Sequence, residues 1–245
     1  MKEVIPIVGI LATPYINFKN YKSRELIIDK TLIKLLKKNS INYRIIPYTI
    51  AKAKLNELIN SLDGLIFPGG QIGNFYNNKF YKEYFKIQTF LIKRAKHINL
   101  LYRPLPVLGI CNGYENMILI EKSYNITKNH IKKTFKTVKC YKNYKASPKF
   151  RTKNRLNTTK KIIHNNMLAI DPKTNISKYG IVATCVDENN KEFIDIVKHE
   201  TLPFYGFQGH PEINNEDLLK PFFKVVNASF DKRNKGLYKN IKIKL

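Results

Sequence analysis

Gly109-Ile110-Cys111-Asn112-Gly113 follows directly on the apolar run Leu105-Pro106-Val107-Leu108. A glycine two positions either side of a cysteine suits a sharp turn from a strand into a helix. Such a turn strains the backbone, lifts the side chain clear of a sheet and aims it at the next helix's N-terminus. There, partial positive charge and unsatisfied N–H groups favour a thiolate. The motif therefore asks for strand, turn and helix in that order.

Roughly a hundred residues later comes Gln208-Gly209-His210-Pro211-Glu212, an imidazole with a carboxylate two positions on. A lone cysteine before a helix is more often packing than a nucleophile, and His-Pro-Glu alone is weaker still. Both motifs in this order, each after an apolar strand-like run, outweigh either alone. Cys111, His210 and Glu212 are then the thiol, imidazole and carboxylate of a cysteine-nucleophile triad.

Strand and helix patterns alternate, which argues for one α/β domain over residues 1–230, its mostly parallel sheet covered on both faces. Strands are expected at Ile5–Leu11, Tyr43–Pro47, Gly64–Phe67, Pro106–Gly109, Tyr179–Val186, Glu192–Lys198 and Phe204–Gln208. The spacing predicts helices over Glu25–Asn39, Lys52–Ser61, Lys79–His97, Gly113–Lys122 and Glu216–Phe230. The stretch after Lys122 lacks periodicity and reads as short strands and loops, a small β insertion. Asp231–Leu245 reads as a basic tail. Gly69-Gly70, Cys111 and His210 all lie just past strand ends, where open α/β sheets bind ligands.

A net charge of +26 is the second unusual property, and it is uneven. From Lys122 through Ile170 there is no Asp or Glu, while Lys and Arg recur with Tyr124, Phe135, Tyr141, Tyr144 and Phe150 among them. A field of that sign gathers polyanions. An acidic small substrate, a nucleic acid and a merely solvated surface of a Lys- and Asn-rich composition all fit; nucleic acid is the less favoured partner. Cys111, Cys140 and Cys185 show neither a disulfide framework nor zinc-ligand spacing. With no convincing signal peptide or membrane span, a reducing cytoplasmic setting fits best. A homodimer stays open.

Four segments together resemble γ-glutamyl hydrolase, of the class I glutamine amidotransferase-like superfamily: Ile5–Leu11 (IPIVGIL), Leu62–Gly70 (LDGLIFPGG), Leu105–Glu115 (LPVLGICNGYE) and Phe204–Glu212 (FYGFQGHPE). The resemblance implies a flavodoxin-like α/β fold and cleavage of γ-linked glutamates, as in folylpolyglutamates. It implies Cys111 as nucleophile, His210 as general base and acid, and Glu212 as its orienting group. It further places Gly69, Glu115 and His164 at the substrate, with the N–H groups of Gly70 and Asn112 as oxyanion donors. No metal or organic cofactor is implied. Three departures stand out: Gly209 where the family usually has Trp, Asn112 where Leu or Gly is common, and no clear equivalent near Glu25 of a family tyrosine. Two alternatives remain. One is a glutaminase subunit feeding ammonia to a separate synthase; the other is a non-catalytic protein of the same fold binding nucleic acid.

Overall fold

Strands buried on both faces decide the architecture. The computed structural model describes residues 5–14, 26–28, 30–70, 78–151 and 160–235. In β5 (Gly64–Phe67), Leu65 and Phe67 enter one core and Ile66 the other. β6 (Val107–Ile110) divides Val107 from Leu108 and Ile110 in the same way. Such strands need a helical layer on each face. One layer holds α2 (Lys52–Asn60), α3 (Lys79–Leu101) and α4 (Asn112–Glu121); the other holds α1 (Lys30–Lys38) and α7 (Lys220–Asn234).

Among the described residues the sheet has ten strands. β4 (Asn42–Ile46), β1 (Ile7–Leu11), β5, β6 and β12 (Phe204–Phe207) run parallel in that order. Antiparallel pairing then extends it through β11 (Glu192–His199), β10 (Tyr179–Val186) and β8 (Lys149–Phe150). β9 (Ile162–Ile170) joins at β11 and pairs antiparallel with β7 (Phe135–Ala146). The fold is thus a single α/β domain with a mostly parallel central sheet and an antiparallel extension.

Several elements differ from the sequence reading. α1 begins at Lys30 because β3 (Leu26–Ile27) uses its backbone in an antiparallel ladder with β2 (Thr13–Pro14). α3 continues past His97 to Leu101, although Leu100 and Leu101 are exposed and give no periodic signal. It stops where Arg103 precedes Pro104, a position that disfavours helix. At its start, Asn78 Oδ1 accepts from the N–H groups of Phe80 and Tyr81. The basic stretch is more ordered than its composition suggests: α5 (Lys128–Thr134), capped by Thr127, leads straight into the twelve-residue β7. Register shifts on either side of Cys140 hide its alternation. Toward the end, one-turn α6 (Pro211–Asn214) and a 3-10 turn at Glu216–Leu219 precede α7, which passes Phe230 to reach Asn234. Residues 236–245 of the expected tail lie outside the described ones. Among the described residues, no helix is long and apolar enough to cross a membrane.

Candidate active site

β5, β6 and β12 are adjacent and parallel, so their carboxyl ends share one edge. Gly69-Gly70 follows the first, Cys111 the second and His210 the third. Cys111 stands between β6 and α4 at φ 49°, ψ −114°, a conformation that a non-glycine residue holds only under strain. Its N–H donates to Phe207 O at 2.7 Å and its carbonyl accepts from Glu115 N–H at 3.0 Å. The turn is locked to β12 on one side and to α4 on the other.

Gly69 lies against both Cys111 and His210. A Cβ there would stand 3.5 Å from Cys111 Cβ, 2.9 Å from His210 Cε1 and 3.7 Å from His210 Nε2. The His210 ring lies next to the Cys111 side chain. Its Nδ1 meets Glu212 Oε1 at 2.8 Å, which leaves Nε2 for the sulfur. Glu212 is buried in α6 directly behind the ring. Burial on its own would depress the His210 imidazolium. The hydrogen bonds and charges of Cys111 and Glu212 overcome that and hold it well above the ordinary value. Adjacent in this order, the three groups can take a proton from the thiol and keep the imidazolium oriented.

A histidine raised in the folded state contributes stability that is full below about pH 6.5 and is lost as pH rises through the folded value. Glu212→Gln removes the charge that supports the imidazolium. The midpoint of the His210 titration is therefore expected to fall, read from its ring-proton shifts in NMR. An unmoved midpoint would show that Glu212 does not support the charge.

Asn112 opens α4, so its N–H has no intrahelical acceptor. The Asn112 Oδ1 lies 3.5 Å from where a Gly70 Cβ would be, so the two proposed donors are neighbours. Behind them is a buried polar layer between α3 and α4. Asn112 Nδ2 donates to the Tyr81 hydroxyl at 2.6 Å, Asn116 Nδ2 donates to Gln88 Oε1 at 2.9 Å, and Gln88 Nε2 donates to Gly113 O at 2.9 Å. The sequence reading singles out neither Tyr81, Gln88 nor Asn116. All three sit within α3 or α4 and look like ordinary helix residues.

Glu115 is buried one turn into α4 and accepts from Gln208 Nε2 at 2.9 Å. Burial pushes its carboxyl from 4.5 up to about 7, against hydrogen bonds from Gln208 and Asn112 that lower it. The folded protein therefore binds more protons than the unfolded chain between those values, and stability falls as pH rises through them. A shift of that size corresponds to about 3 kcal/mol. Glu115→Gln is expected to remove this penalty. Its stability relative to wild type in urea unfolding should rise by about 3 kcal/mol between about pH 4 and pH 8.

His164 is fully buried in β9, its Nε2 2.9 Å from where a Cβ on Gly209 would stand. Its Nε2 meets Asp195 Oδ1 at 2.8 Å and its Nδ1 meets Ile162 O at 3.1 Å. Cys185 Sγ donates to Asp195 Oδ2 at 3.2 Å. The ligating atoms of His164, Cys185 and Asp195 all lie within 4.8 Å of one another. They are already joined by direct hydrogen bonds, shorter than the ligand separations around a bound zinc ion. Burial pushes the Cys140 thiol up to about 12, and burial together with Asp195 pushes Cys185 higher still, so both are poor nucleophiles.

A strained cysteine stands at a strand-to-helix turn, with histidine and glutamate just past the end of the parallel neighbour. Residues 25–226 match the family model for glutamine amidotransferase class-I, and the chain belongs to that family. Curated relatives are γ-glutamyl hydrolases. γ-Glutamyl hydrolase B of Dictyostelium discoideum is 21% identical over 84% of this chain and 62% of its own length. γ-Glutamyl hydrolase 1 of Arabidopsis thaliana is 28% identical over 70% of this chain and 52% of its own. The chain thus spans little more than half the length of these relatives. Among solved structures, a putative GMP synthase subunit from Thermoplasma acidophilum superposes with a TM-score of 0.61 at 16% identity, covering 95% of this chain and 99% of that one. The glutaminase domain of Trypanosoma brucei CTPS gives 0.63 at 12% identity, covering 93% and 94%. Both share the fold.

Proposed function

We propose that the protein hydrolyses γ-glutamyl amide bonds, with folylpoly-γ-glutamates or similar conjugates as substrates. The observation that carries this reading is the adjacency of Cys111 and His210, with Glu212 hydrogen-bonded to the imidazole from behind, beside the Gly69-Gly70 loop. The Cys111 thiolate attacks the γ-carbonyl carbon, and the carbonyl electron pair moves onto oxygen. The N–H groups of Gly70 and Asn112 hold that oxyanion; losing one such donor typically costs about 3–4 kcal/mol of barrier. His210 gives its proton to the departing amine and leaves a thioester. It then takes a proton from water, whose oxygen displaces the thiolate.

The relatives' names support the substrate class, and the acid-free run from Lys122 to Ile170 supports an acidic one, since its lysines attract the carboxylates of a polyglutamate tail. That attraction weakens as salt rises. The test is incubation with γ-linked and with α-linked oligoglutamate, analysed by mass. Shortening of the γ-linked chain alone is expected; an intact γ-linked chain overturns the reading.

A second reading, favoured by the likeness to a glutaminase domain, is release of ammonia from glutamine for a separate synthase. Cleavage of γ-glutamyl peptides by the purified protein, without partner or nucleotide, decides against it.

A further inference from the structure

Three consecutive N–H groups carry β12 into His210, and each is held by the antiparallel extension. Gln208 N–H donates to Asp195 O at 2.7 Å and His210 N–H to Ile163 O at 2.7 Å. Between them, Gly209 N–H donates to the Asp195 carboxylate, at Oδ1, at 3.2 Å. That middle bond is the one made to a side chain. The carboxylate is fully buried and also accepts from His164 Nε2 and Cys185 Sγ.

Burying a charge is costly unless every lone pair has a donor. Here three donors from three segments converge on it. Gly209 is what lets them close up. A Cβ there would stand 2.9 Å from His164 Nε2 and 2.4 Å from Ile162 Cγ2. A tryptophan at 209 has no room behind the turn while the His164–Asp195 pair is in place.

We propose that Asp195 is a positioning residue for the His210 imidazole. Its carboxylate, oriented by His164 and Cys185, clamps the Gly209 N–H and so fixes the turn that delivers the ring to Cys111. It touches no substrate. This deepens the hydrolase reading and rests on Cys111 and His210 being the reacting pair.

Asp195→Asn keeps the shape but turns an amide N–H toward a donor. One readout needs no substrate: the pH profile of Cys111 alkylation by iodoacetamide, followed on the Cys111 peptide by mass. The other is kcat and KM on γ-linked oligoglutamate. In Asp195→Asn, Cys111 alkylation near pH 6 is expected to slow, and kcat to fall, each by roughly tenfold or more, with KM little changed. Gly209→Ala, which presses on the same junction from the other side, is expected to act alike. Leu100→Ala, exposed near the end of α3 and away from the cluster, should leave both readouts unchanged.

A wild-type alkylation profile in Asp195→Asn overturns the proposal, as does a change confined to KM. So does failure of both Asp195→Asn and Gly209→Ala to fold by circular dichroism, which would make the cluster structural. If wild-type protein cleaves no γ-linked chain yet Asp195→Asn still shifts the alkylation profile, the substrate reading falls and the clamp stands.

Discussion

Cys111→Ala is expected to leave less than about one ten-thousandth of wild-type kcat/KM on a γ-linked substrate, because every later step passes through the thioester. The oxyanion donors, the substrate contacts and the His210–Glu212 pair survive the change, but no thiolate is left to attack the γ-carbonyl carbon. The fold should survive too, since alanine keeps the Cβ and the N–H bond to Phe207 O. Stability gives an independent check on the geometry. At φ 49° and ψ −114° any side chain is strained, so alanine inherits what cysteine bears. Cys111→Gly alone relieves it and is expected to be more stable than Cys111→Ala by about 1 kcal/mol in urea unfolding. Full turnover in Cys111→Ala would end the assignment of the nucleophile.

Such strain is legible in the sequence as a motif: glycines two positions either side of a cysteine ask for a sharp strand-to-helix turn, and the positive φ falls on Cys111 itself. The glycines serve close packing: a Cβ on Gly109 would meet Tyr114 backbone atoms at 2.8 Å. The parallel strands are readable because each is a short apolar run ending in Gly, Pro or a polar turn. The element order then places Gly69, Cys111 and His210 on one edge. Asp195 is not readable. It is a single acid inside the strand Glu192–His199, and its meaning comes from His164, thirty-one residues away. The layer formed by Tyr81, Gln88, Asn112 and Asn116 escapes for the same reason, since α3 and α4 meet only in the folded molecule. Local pattern reports which face of an element is apolar. It does not report which polar side chains meet across two elements.

Gly113→Ala is expected to destabilise the protein by about 3 kcal/mol or more and to abolish activity, although helix propensity alone points the other way. An alanine inside a helix is ordinarily better than glycine by about 1 kcal/mol. Here its Cβ would lie 2.0 Å from Phe67 O and 2.6 Å from Phe67 C, the last carbonyl of β5. These are backbone atoms in the centre of the sheet and cannot swing aside as a flexible side chain can. The first turn of α4 would have to move off β5 by roughly an ångström, and such a shift costs more than the propensity gain. It would also draw Asn112 away from Gly70 and Cys111 away from His210, so stability and turnover fail together. Urea midpoints and kcat measured on the same preparation test this. A variant that is more stable than wild type and fully active would mean that α4 does not abut β5, and the edge on which the nucleophile, the imidazole and the glycine loop meet would lose its geometric basis.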